Sequence, residues 1–261
     1  MFALVDCNNF YVSCERVFNP AIRKDPVVVL SNNDGCAIAR SNEAKALGIP
    51  MGAPAFKFKT TFKKHGVHVY SSNYALYGDM SARVMNLLKK YTPDVEVYSI
   101  DESFLKFEGF EHYNLTDWGN QMKHEVERGT GIPISIGIAP TKALAKVANR
   151  VAKKFPERTD GVYLMQTNRQ REKALKWMDI DDVWGIGRQH AIRLKRINVN
   201  NGLDFANLPE DWVRKNMSVV GHRLLLELRG EPSLDLEEMQ AKKAIATSRS
   251  FDKQYEDYGY I

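Results

Sequence analysis

The chain has 261 residues, enough for one large domain or two to three small ones, and its 44% hydrophobic and 26% charged residues are ordinary for a soluble globular protein. Lys and Arg number 37 against 32 Asp and Glu, a net charge of +5 that is compatible with nucleic acid without being diagnostic of it. Cys7, Cys14 and Cys36 form neither a disulfide framework nor a metal-ligand spacing, and signal-peptide, membrane-spanning and lipidation patterns are absent, so the expectation is a cytoplasmic protein with reduced thiols.

The chain opens with an apolar run, Phe2-Ala-Leu-Val5, that ends in Asp6 and reads as a buried strand. Phe10, Cys14, Val17 and Phe18 follow at helical spacing, with Asn8 or Asn9 as the N-cap. Val27–Leu30 reads as a strand, Ser31–Gly35 as a turn, and Arg40–Leu47 as a short helix stopped by Gly48. Over 55–72, Lys57, Lys59, Lys63 and Lys64 alternate with Phe56, Phe58 and Phe62, and His68–Tyr70 is strand-like. Such aromatics could face a nucleotide or template base, and they equally fit a small core with a solvated lysine face.

Asn73 to Tyr91 is an amphipathic helix carrying Tyr74, Tyr77, Met80, Val84 and Leu88 on its apolar side. Val95-Glu-Val-Tyr98 then alternates with period two, and Ser103–Phe107 is apolar again after the acid pair Asp101–Glu102. That is a hairpin with two carboxylates at its turn. Taken alone the pair is equally a solvated hairpin tip. Asp6 changes the balance: if the two strands are neighbours in one sheet, Asp6, Asp101 and Glu102 converge. Three hard oxygen donors without a His or Cys cluster suit Mg²⁺ or Mn²⁺ better than zinc, and two such ions would serve phosphoryl transfer. The stretch 117–128 is a further helix, Ile134–Ala139 a strand, and Lys142–Ala152 a helix with Leu144, Val147, Ala148 and Val151 inward. Lys142, Lys146, Arg150, Lys153 and Lys154 form a cation row along or beyond it, ordinarily a wet face but here close to the expected acidic centre, where a triphosphate would need counter-charge.

A second module begins near Met165. Val183-Trp-Gly-Ile-Gly187 followed by the basic helix Arg188–Ile197 and a second helix at Gly202–Leu208 is the helix-hairpin-helix pattern. Its glycines, Gly185 and Gly187, let backbone amides approach a phosphate, with Arg188 and Lys195 crowding the same region. Helices at Trp212–Asn216 and Val219–Arg229 complete an all-α unit. Leu234–Lys243 reads as a charged linker, and Ala244–Phe251 as a strand whose sheet is not in the sequence.

Together these features resemble the Y-family translesion DNA polymerases, in the UmuC branch, whose type member is the catalytic subunit of bacterial DNA polymerase V. The residues that carry the resemblance are Val5–Tyr11, Ser31–Cys36, Ala44–Gly48, Ser71–Tyr74, Asp79–Ser81, Tyr98–Glu102, Val183–Gly187 and Leu228–Pro232. The fold implied is α+β: a palm with a mixed or antiparallel sheet and helices (1–10 and 73–164), a small α/β fingers insertion (11–72) and an all-α helix-hairpin-helix thumb (165–231). Residues 232–261 would be a linker and the first strand of a little-finger domain that is otherwise missing from this sequence, as is a clamp-binding region.

By resemblance, Asp6, Asp101 and Glu102 are the catalytic carboxylates and, with the Cys7 carbonyl, hold two Mg²⁺ ions, Mn²⁺ being a substitute. Phe10, Tyr11, Asn42, Lys45 and Lys153 would bind the nucleotide, with Tyr11 as the steric gate against a 2′-hydroxyl and Lys153 on the triphosphate. Many relatives carry Tyr-x-x-Arg where this chain has Asn42-x-x-Lys45, and a lysine is a point charge without a bidentate fork. The implied function is error-prone synthesis across damaged bases in the SOS response. Its partners would be primer–template DNA, deoxynucleoside triphosphates, a processed UmuD-like dimer and a RecA filament. A nucleotide cyclase could share the acids and sheet but has no use for a helix-hairpin-helix. A non-catalytic DNA-binding remnant stays open as the alternative.

Overall fold

The computed structural model describes residues 1–237 and 244–246. In chain order its elements are β1 (Phe2–Cys7), α1 (Phe10–Phe18), β2 (Val27–Leu30), β3 (Ala37–Arg40), α2 (Asn42–Ala46), α3 (Ala55–Lys64), β4 (His68–Tyr70) and α4 (Tyr74–Leu88). There follow β5 (Val95–Val97), β6 (Glu102–Lys106), α5 (Leu115–Thr130), β7 (Ile134–Ala139), α6 (Lys142–Lys154), α7 (Pro156–Thr159) and β8 (Val162–Leu164). Last come α8 (Asn168–Trp177), α9 (Arg188–Lys195), α10 (Gly202–Ala206) and α11 (Glu210–Arg229). Contacts divide the chain into two compact units, one of Met1–Asn8 with the described chain from Gly78 onward to 237, the other of Asn9–Tyr77.

The first unit is built on a mixed sheet in the order β5-β6-β1-β7-β8. β1 and β7 are largely apolar and buried on both faces, so they read as continuous hydrophobic runs instead of alternating ones, and the middle of β6, Ser103–Leu105, is buried with them. Helices α5 and α6 pack on the β7–β8 side, and α6 lies across β1 and β7. One apolar core runs from Phe2, Leu4 and Phe104 through the inner face of α6 to Leu175, Leu194, Phe205, Val213 and Leu225. The helical module is thus welded to the sheet through α6, and Glu227, fully buried, accepts from the amides of Ala143, Ser233 and Leu234 at 3.0, 2.7 and 3.0 Å.

The second unit carries a three-stranded sheet, β3-β2-β4, with β2 antiparallel to β3 and parallel to β4. Val28, Leu30, Ala44, Ile49 and Phe62 form its core. Of the interleaved aromatics on α3, Phe62 is buried and Phe56 is 68% exposed.

Several sequence expectations need correction. Lys142 does not belong to a wet lysine row: its side chain is 4% exposed and its Nζ lies 2.6 Å from Glu96, which also accepts the Glu237 amide at 2.8 Å. Just beyond that row, Pro156–Thr159 form the short helix α7. The two last expected helices are found, running on from one another as α11 with a break at Ser218, whose φ is 62°. A helix unanticipated from the sequence, α8, opens the second module, started by a Thr167–Gln170 capping box. Of the expected strand at 244–251, only Ala244–Ala246 are described, in no regular element, and the rest lies outside the described residues. No helix among the described residues is long and apolar enough to cross a membrane.

The Lys142–Glu96 pair yields a prediction. Lys142→Ala leaves a buried carboxylate without its cation, and the expected loss is about 3–5 kcal/mol, read as a lowered thermal midpoint. The double variant Lys142→Met, Glu96→Leu recovers most of it, since no charge is then buried. Equal losses in the single and double variants would refute the pairing.

Candidate active site

β1 runs antiparallel between β6 and β7, so the backbone N–H and C=O groups of both its edges are paired. The β1–β6 register sets Asp6 directly opposite Glu102. Opposed residues of an antiparallel pair leave the same face, with Cβ atoms about 4.5–5.5 Å apart. Asp101 sits at the tip of the β5–β6 hairpin, and its carbonyl accepts the Cys7 amide at 2.9 Å, tying the tip to the end of β1. Ser99 organises that tip: its Oγ accepts from the amides of Asp101 and Glu102 at 3.3 and 3.0 Å and donates to Asp101 Oδ1 at 2.6 Å. The three expected carboxylates therefore come to one end of one sheet.

Helix α6 supplies the matching cations. Lys153 Nζ lies 2.5 Å from Asp6 Oδ2, and Lys146 Nζ lies 3.0 and 3.2 Å from the two Glu102 oxygens. The two lysines are seven residues apart, two helical turns on one face. Asn149, on the same helix and buried, donates to the carbonyls of Leu4 and Ser135 at 3.3 and 2.7 Å, fixing the helix over β1 and β7. Arg150, the row's third member, pairs with Asp182, shortly before the Gly185–Gly187 turn.

Burial above all, and then the charges of Glu102 and Asp101, push the Asp6 carboxyl up to about 6, against the opposing pull of Lys153. Among the described residues, no group of three or more His, Cys, Asp or Glu side chains is already gathered round a cation position. Each carboxylate is instead turned to its own partner: Lys153, Ser99 or Lys146. The donor set still fits a hard divalent cation, being carboxylates on adjacent strands with little water round Asp6, whose value is raised chiefly by burial.

In the second unit, Asn9 caps α1 in the left-handed region (φ 49°) without a side-chain cap bond. Its amide is used elsewhere: Lys45 Nζ donates to Asn9 Oδ1 at 2.6 Å and Asn9 Nδ2 donates to Asn42 at 3.1 Å. Asn42 and Lys45, the departure from Tyr-x-x-Arg, are thus joined through Asn9. Tyr11 stacks on Tyr77 with ring centroids 4.3 Å apart and planes at 14°, and Tyr77 donates to Glu15 at 2.7 Å. Phe10, expected among the nucleotide-binding residues, is 3% exposed, with its ring 5.8 Å from that of Tyr11.

In the helical module, Gly185 has φ 85°, a conformation that favours glycine, and Gly187 caps α9 without a side chain, leaving the first-turn amides open to an anion. Arg188 is exposed. Lys195 is already matched by Asp179 and Asp181, which weakens its case as a phosphate contact. Sequence reasoning missed Ser99 and Asn9 as organisers, and it placed Lys146 in the cation row without a partner. The Ser99-x-Asp101-Glu102 spacing is a serine-turn signal that could have found the first.

The model of the impB/mucB/samB family matches residues 5–150, more than half of the chain. The chain belongs to this family. Among its relatives, the Protein UmuC of Salmonella typhimurium is 47% identical over 260 residues, covering 99% of this chain and 62% of the relative. The DNA polymerase IV of Saccharolobus solfataricus is 30% identical over 234 residues, covering 86% of this chain and 63% of the relative. Of solved structures, a Y-family DNA polymerase chimera superposes with a TM-score of 0.78 at 26% identity, covering 93% of this chain and 71% of that one. The insertion ternary complex of Dbh DNA polymerase gives 0.77 at 26% identity over 91% and 70% of the two chains. The resemblance read from the sequence holds, and so does the α+β fold class. This member of the family spans about three-fifths of the length of the curated relatives it matches first.

Proposed function

We propose that the chain is the catalytic part of an error-prone, template-directed DNA polymerase that synthesises across damaged bases. The observation that carries this reading is the β1–β6 register, which sets Asp6 against Glu102 with Asp101 at the adjoining tip and Lys153 over them. Asp6, Asp101, Glu102 and the Cys7 carbonyl would hold two Mg²⁺ ions, or Mn²⁺ in their place. Bound there, the ions supply Lewis acidity to the attacking 3′-oxygen and the leaving pyrophosphate. Lys153, on the same helix face, offers its cation to the triphosphate. Ser99 keeps Asp101 aimed at the tip. By the resemblance, Tyr11, stacked on Tyr77, would check the sugar, and Lys45 with Asn42, joined through Asn9, would bind the triphosphate as a point charge. Gly185, Gly187 and Arg188 grip the DNA backbone through open amides and charge, with Lys195 the weakest of the set.

In this reading 1–10 with 73–164 are the palm, 11–72 the fingers and 165–231 the thumb. The protein works in the cytoplasm on primer–template DNA and deoxynucleoside triphosphates, beside a processed UmuD-like dimer and a RecA filament in the SOS response. The test is extension of a primed template by the purified chain with Mg²⁺, at high enzyme and low salt. Incorporation of the templated deoxynucleotide, abolished by chelation, is the expected result. Retained DNA binding without any extension would favour a non-catalytic remnant.

Tyr11 carries its own prediction. Tyr11→Ala removes the ring beneath the 2′ position, and ribonucleotide incorporation relative to deoxynucleotide should rise by about 10–100-fold, the scale of one lost steric contact worth 1–3 kcal/mol. Unchanged sugar selectivity would withdraw the gate from Tyr11.

A further inference from the structure

Lys146 is held more closely than a lysine that serves only as surface charge. Its side chain is 14% exposed, against 35% for Lys153. Besides the two Glu102 oxygens, its ammonium faces three rings, with centroids at 4.4 Å (Tyr98), 5.4 Å (Trp184) and 5.6 Å (Phe104). The rings brace one another. Trp184 Nε1 donates to the Tyr98 hydroxyl at 3.1 Å, and Tyr98 stands edge-on to Phe104 and Trp184 at 5.4 and 6.1 Å. They come from three places: the hairpin tip beside Asp101, strand β6, and the turn immediately before Gly185. A partly desolvated cation on aromatic faces is held by about 0.5–2 kcal/mol per good contact, so the cage remains a seat for the ammonium without a carboxylate.

A divalent cation on Glu102 would draw on the same two oxygens that now face Lys146, and the two positive charges at one carboxylate oppose each other. We propose that Lys146 is a positioning residue. It is the counter-cation of Glu102 in the metal-free protein, it competes with the divalent ion for that carboxylate, and through Trp184 it couples cation binding to the Gly185–Gly187 turn. This rests on the reading of Glu102 as a metal ligand. The consequence is a one-piece linkage: the group that neutralises the catalytic acid also touches the residue next to the expected DNA-gripping amides. Filling of the metal site and the set of that turn then depend on each other, and the dependence is reciprocal.

The test is titration of the intact chain with Mg²⁺, without DNA, followed by calorimetry and by tryptophan emission. In the unsubstituted chain the emission change follows the heat, and in Trp184→Phe it disappears although Trp118, Trp177 and Trp212 remain. Lys146→Met fills the cage without charge. It is expected to bind Mg²⁺ about tenfold more tightly, the scale of one unit charge removed at close range, and to lose the emission change. Lys146→Gln is the second variant, with the same two expectations. An unaltered Mg²⁺ midpoint in both variants, or an emission change that persists in them, overturns the proposal. Heat without Trp184-dependent emission overturns the coupling and leaves the metal reading intact. Absence of any Mg²⁺ heat in the unsubstituted chain overturns that reading and this inference together.

Discussion

Asp101→Asn is expected to lower primer extension by at least about 10³-fold while raising the thermal midpoint of the metal-free chain. The loss follows from ligand chemistry. Removing a single neutral donor from an oxyanion site costs 10²–10³ in rate, and on the proposed reading the loss of a charged group that would hold the ions is larger, so about 4 kcal/mol of barrier is a lower bound. Asparagine keeps the fold, because its carbonyl can still accept from Ser99 Oγ where Asp101 Oδ1 now does at 2.6 Å. The gain in stability follows from charge. Burial and two neighbouring carboxylates hold the Asp6 carboxyl at about 6 against an ordinary 3.8. A carboxyl that binds its proton more tightly folded than unfolded costs nothing below pH 4 and its full penalty above pH 6. Neutralising Asp101 removes part of the repulsion, so the midpoint difference between variant and parent should be larger at pH 7 than at pH 4. At about 2–4 °C per kcal/mol for a chain of this size the difference is readily measured. A variant that melts below its parent at pH 7 would place Asp101 outside the charge cluster, and undiminished extension would place it outside the chemistry.

How far the sequence disclosed this arrangement differs from residue to residue, for physical reasons. Asp6 and the Asp101–Glu102 pair stood out because each ends an apolar or alternating run, the one place where a strand pattern predicts burial and the residue resists it. Their neighbourhood was legible as a conditional, since strand order is set by long-range pairing that no local pattern encodes. Lys142 was misread because helical periodicity puts it in the same column as true surface lysines, while its partner Glu96 is 46 positions earlier. Helix α8 was missed because only Ala174 and Leu175 of its ten residues are buried, too few to impose an apolar period, although its capping box was in the sequence. The Lys146 cage was out of reach altogether: Tyr98, Phe104 and Trp184 meet only once β6 and the turn before α9 are both placed against α6.

The second large effect is expected from Gly137→Ala, a change of one methyl group. Gly137 sits in the middle of β7, opposite Leu4 on β1 and Tyr163 on β8. A Cβ there would lie 2.0 Å from Asn149 N, 2.4 Å from Ala145 O and 2.6 Å from Ala148 C, all backbone atoms of α6. Flexible side chains can step aside from such a clash, but a helix backbone moves only as a body, and here it carries Lys146, Asn149 and Lys153 with it. The expected destabilisation exceeds about 4 kcal/mol, a large part of the 5–15 kcal/mol that holds a typical domain together. Gly78→Ala is the matching control. Gly78 lies within α4, and a Cβ there has no described neighbour within 4 Å, so alanine should stabilise by about 0.5–1 kcal/mol through helix propensity alone. The same substitution should therefore lower the melting point steeply at one glycine and raise it slightly at the other. If Gly137→Ala melts within a degree or two of its parent, α6 does not lie on β7 as closely as described. The lysines it positions over Asp6 and Glu102 would then lose the rigid seat on which the catalytic reading depends.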